Sequence, residues 1–163
     1  MEFLELQCLS RMMQTCHMLY DAGIRLLLSR QRCPSTEDQL LSLCHFVLRD
    51  APRRSGLLRD LTILEDVEES TVSLVIDVLP HARSLESLDV SSESDLIKSR
   101  PDLVHAIRSL PSVRNLEWRD VDYVGIEAIQ CIQALLEAVE VSFDVCSEPQ
   151  DPAEVLKPFG ATF

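Results

Sequence analysis

One short pattern returns four times in the second part of the chain and limits what it can fold into. An LxxLxI-like segment is made by Leu58, Leu61 and Ile63, then by Leu85, Leu88 and Val90. Val113, Leu116 and Trp118 repeat it, as do Leu136, Val139 and Val141. The segments start 27, 28 and 23 residues apart. Within each, the last two apolar residues alternate with polar ones, the period of a strand with one buried face. Helical patterns fill the gaps: "STVSLVIDVL", "RPDLVHAIRSL" and "GIEAIQCIQALL". Pro101 suits a first helical turn, where its missing N–H costs nothing.

A second internal match is sharper but competes with the first. "LPHARSLESLDV" (79–90) and "LPSVRNLEWRDV" (110–121) align without a gap at an offset of 31. That alignment pairs Leu85 with Leu116, whereas the LxxLxI frame pairs Leu85 with Val113. The two frames cannot both set the strand register. In the first frame Trp118 fills the core; in the second it aligns with Ser87 and faces outward, where an exposed tryptophan among charges suits an interface. Either frame demands a repeated strand–helix unit, and one unit cannot bury its own apolar face, so units must stack. The expected fold is α/β: N-terminal helices followed by a short leucine-rich-repeat-like βα solenoid with a curved parallel sheet. An ordinary α/β domain with Leu-rich strands is the plainer alternative.

Ahead of the repeats the period changes to that of amphipathic helices. Leu9, Met12, Met13, Cys16, Leu19 and Tyr20 form one stripe, and Asp21 is placed to cap a second helix, "AGIRLLLSR". "CPST" breaks the chain, and Thr36 followed by Gln39 is a capping-box pattern opening "EDQLLSLCHFVLRD". "APRRSG" reads as a basic turn. The organisation expected is a helical segment over 1–33, a connecting helix and turn over 34–56, the array over 57–145 and a tail over 146–163. In the tail, Phe159 and Phe163 either fold back on the last repeat or belong to a disordered end.

Charge is unevenly spread. Residues 1–59 carry 8 basic and 6 acidic groups, whereas 60–163 carry 7 and 21. A formal charge of −12 disfavours nucleic acid and anionic membrane as partners, and the acidic part calls for a basic one. The runs "EDVEES" and "SSESD" read as solvated turns, with Ser70 and Asp95 as helix N-caps. The opening "MEFLELQCLSRMMQ" lacks a basic n-region and a continuous apolar h-region, and no apolar run nears the ~18–20 residues of a membrane helix. Cytoplasm or nucleus is therefore the expected compartment, with reduced cysteines.

The Cys16-His17 and Cys44-His45 pairs invite a metal or nucleophile reading. Neighbouring residues on a helix point about 100° apart, so they are poor chelators of one ion. A pairing of Cys16 with His45, or of Cys44 with His17, is open by spacing. Both thiols, however, fall on apolar stripes where burial makes them inert, and no HExxH, GxSxG or Gly-rich phosphate loop is present. The expectation is no enzyme, no cofactor and no metal.

Two stretches carry a family resemblance. "LSRMMQTCHMLYDAGIRLLLS" (9–29) resembles the later helices of an F-box-type segment, with its "TC..LY..G...LL" core, and "LLSLCHFVLRDAPRRSGLLRDLTI" (40–63) resembles the connection into a first repeat strand. Together with the two LP segments, they make the chain similar to fungal F-box and leucine-rich-repeat proteins. The LP-x-E-L/I helix that opens an F-box is replaced by "MEFLELQ", so that segment is truncated or degenerate. The resemblance implies a substrate receptor of a Skp–cullin–F-box type ubiquitin ligase: helices around 4–31 would face a Skp-type adaptor, and the array would hold a target. The strand residues alternating with the core set are Thr62, Glu86, Ser87, Asp89, Glu117, Arg119, Glu140 and Ser142. With Trp118 they form the candidate partner-binding set, suited to a basic or polar protein surface. Two alternatives are a repeat scaffold outside any ligase and a Cys-dependent enzyme or metal protein.

Overall fold

A computed structural model of the chain describes residues 11, 13–29, 34–65, 67–91, 96, 99–121, 125, 126, 129, 132 and 136–143. Within them lie helices α1 (His17–Ser29), α2 (Glu37–Leu48), α3 (Ala51–Arg54), α4 (Glu69–Val78) and α5 (Pro101–Arg108). The strands are β1 (Asp60–Ile63), β2 (Ser87–Ser91), β3 (Asn115–Val121) and β4 (Ala138–Phe143). They form one parallel sheet in the order β1-β2-β3-β4, so the chain is a mixed α/β fold.

The register decides between the two frames of the sequence. Leu61, Leu88, Leu116 and Val139 stand in one row, and Ile63, Val90, Trp118 and Val141 in another. This is the LxxLxI frame. The 31-residue match aligns helix ends instead: Leu79-Pro80 opens a 3-10 turn (Leu79–His81) after α4, while Leu110-Pro111 closes α5. A further turn at Arg83-Ser84 makes the first connection longer than the second, which restores an offset of 28 between Leu88 and Leu116. Leu58, Leu85 and Val113 are buried in the first three units at the entrance to their strands. Gly125, Ile126 and Ile129 are helical, with both isoleucines buried. Val139 and Val141 of β4 are only half-buried, unlike their row-mates in the other strands.

The helices are tied together at their N-terminal ends. Thr36 caps α2 by accepting from the Gln39 N–H at 3.4 Å, and the Gln39 side chain accepts from the Ser35 N–H at 3.1 Å. This is the expected capping box, shifted by one residue on its return bond. The expected cap at Ser70 is corrected: α4 starts at Glu69 with Glu68 as its N-cap. Its start is completed from α2, because Glu37 Oε1 accepts from the Glu68 N–H and the Thr71 hydroxyl, each at 2.7 Å. A carboxylate there also faces the positive end of the α4 dipole. Arg100, preceding α5, reaches Asp102 at 2.8 Å and Ser73 of α4 at 3.3 Å. Asp95, the other expected cap, lies outside the described residues.

Three expectations for the residues before β1 change. The chain turns at Gln14–Cys16, and α1 runs straight through Asp21, whose carboxylate pairs with Arg53 at 2.8 Å instead of capping a helix. The buried stripe of α1 is Gly23, Ile24 and Leu28, with Tyr20 and Leu27 partly covered; Cys16 is exposed. Gly23 is a packing residue, since a Cβ there would run into the Met13 side chain. The "basic turn" is the short helix α3 followed by a 3-10 turn, and Arg54 within it is buried. Its guanidinium stacks 4.2 Å from the Phe46 ring centroid and donates to the Phe46 carbonyl at 2.6 Å and to the Tyr20 hydroxyl.

Candidate binding face

Because the core takes Leu61, Ile63, Leu88, Val90, Leu116 and Trp118 to one side of the sheet, the alternate residues project to the other. Their middle row is Thr62, Asp89, Glu117 and Glu140. Asp60, Ser87, Asn115 and Ala138 form the row below, and Ser91 pairs with Arg119 above. Adjacent strands lie about 4.8 Å apart, so the middle row sets three carboxylates side by side.

Arg119 stands among them. Its Nε and Nη2 both donate to Glu117 Oε1, at 2.8 and 2.6 Å, and Nη2 lies 3.5 Å from Asp89 Oδ2. Just after it the β3–β4 register shifts, and Asp120 takes a left-handed φ of 55° while its N–H donates to Ser142 Oγ at 3.1 Å. Burial holds the Asp89 carboxyl above its usual range; Arg119 opposes this, Glu117 adds to it, and Ser91 and Thr62 lower it slightly. Asp60 is raised too, first by burial and then by Glu86, with Arg59 opposing.

Of the candidate set, Ser87, Asp89, Glu117, Arg119, Glu140 and Ser142 share this face. Three members are corrected. Trp118 is 1% exposed, in the row of Val90 and Val141, and belongs to the core. Thr62 points to the open side but is 4% exposed, which removes it from direct contact with a partner. Glu86 precedes β2 at the rim and is paired with Arg59. It belongs to an alternating rim of Arg59, Glu86, Arg114 and Glu137, linked by backbone bonds such as Arg114 N–H to Glu86 O at 2.8 Å. Arg114 meets Glu137 at 2.9 Å. Asp60, Ser91 and Asn115 were missed as face residues, although the LxxLxI frame places each of them between or beside core positions.

Asp60 gives a pH-dependent test. An acid whose folded pKa is raised penalises the folded state when ionised, and the penalty disappears below the unfolded value of about 3.9. Asp60→Asn should therefore be more stable than wild type at pH 7, and the gain should shrink toward pH 4. Urea unfolding at both pH values checks this; a loss at pH 7, or a pH-independent gain, contradicts it.

The two described cysteines lie in opposite surroundings. Cys44 is fully buried in α2, and desolvation pushes its thiol up to about 12. Cys16 lies at the surface beside Met13, Gln14, Thr15 and Tyr20, and His45 is exposed. Among the described residues, no three His, Cys, Asp or Glu side chains converge in a metal-holding group. None of the described helices is long and apolar enough to cross a membrane. Iodoacetamide at pH 8 followed by peptide mapping should label Cys16 in the native chain and Cys44 only after denaturation; equal labelling would contradict this burial pattern.

No protein-family model, no curated protein and no solved structure matches the chain.

Proposed function

We propose that the chain is a non-catalytic protein-recognition module, a short leucine-rich-repeat-like array that holds a target on its open sheet face. In this reading it serves as substrate receptor of a Skp–cullin–F-box type ubiquitin ligase. The observation that carries it is the half of a parallel sheet that displays charge. Parallel sheets are ordinarily covered by helices on both faces. Here Asp89, Glu117, Arg119 and Glu140 retain partial or full exposure. Stacked repeat arrays use such a surface for binding. Its carboxylates favour a basic or polar protein over nucleic acid or an anionic membrane.

The adaptor half of the proposal rests on α1. Its outer side carries Met18, which is 84% exposed, and Leu19 and Leu26, each 38% exposed. Met18, exposed Ala22 and Leu26 lie one turn apart in succession, an apolar stripe of the kind that seats in a partner's groove. Co-expression with a Skp-type adaptor tests it. The wild-type chain should co-purify with the adaptor, while the double variant Met18→Glu, Leu26→Glu should be lost from the complex with unchanged circular dichroism. Failure of the wild type to bind, even with sequence upstream of Met1 supplied, rejects the ligase role and leaves a repeat scaffold.

A further inference from the structure

We draw no further inference here: the strongest candidate, the outer edge of β4 with its half-buried Val139 and Val141 at the end of the sheet, carries none, because nothing in the structure shows what covers it.

Discussion

Trp118→Ala should lose about 3–5 kcal/mol of folding stability, the range for truncating a fully buried aromatic, whereas alanine at its neighbours Glu117 and Arg119 should cost about 0.5 kcal/mol or less. The contrast follows from one alternation. Trp118 lies at 1% exposure in the core row, while Glu117 and Arg119 point to the open side. It is the chain's only tryptophan, so its emission reports unfolding of the sheet directly. Urea denaturation of the three variants decides the matter, with circular dichroism following Trp118→Ala. A Trp118→Ala loss as small as those of its neighbours would put the indole on the surface and restore the 31-residue frame. Since small domains hold only about 5–15 kcal/mol in total, the expected loss should also bring the variant near its unfolding midpoint at moderate temperature.

Arg54→Ala should cost about 2–3 kcal/mol, from two polar groups left unpaired and a cation–π contact removed. The side chain is 7% exposed and is held by a carbonyl, a hydroxyl and two rings, with Tyr20 contributed by α1 and Phe46 by α2. It therefore joins the N-terminal helix to the rest of the molecule, and amide exchange in α1 should accelerate more than exchange in β2 or β3. Arg54→Met retains the apolar stem between the rings and should recover part of the loss. Arg54→Lys should not restore it fully, because an ammonium cannot stack flat on Phe46 while bonding both oxygens. A stability change below about 0.5 kcal/mol in Arg54→Ala would show that this contact is incidental.

The sequence made the sheet more legible than the helices before it. Alternation at Leu61/Ile63, Leu88/Val90 and Leu116/Trp118 is strict, and a strand has only two faces, so the frame that buries these pairs also orients Asp89, Glu117 and Arg119. Helical stripes are more permissive. α1 is apolar around most of its circumference, so Cys16 and Leu19 fit a core stripe on paper, while burial selects Gly23, Ile24 and Leu28. Two other features depend on distant partners that local patterns do not reveal. The start of α4 is completed by Glu37, 31 residues before Glu68, and Arg54 is buried because aromatic rings from two other helices enclose it. Thr62 was misjudged for a simpler reason: alternation tells which way a side chain points, but not whether anything covers it.

The unequal connections after α4 and α5 have a consequence for how such a chain tolerates change in length. The sheet acts as a ruler whose marks are the rows of Leu61, Leu88 and Leu116, and the slack is taken up in the Leu79–Ser84 corner. Residues gained or lost in that corner leave every strand in phase. A single residue gained between Leu85 and Val90 would turn half of β2 over, sending Val90 to solvent and a charge into the core. The duplicated LP segment thus preserves the wording of a repeat at a point where spacing is free, while the metre is kept by the less conspicuous leucines.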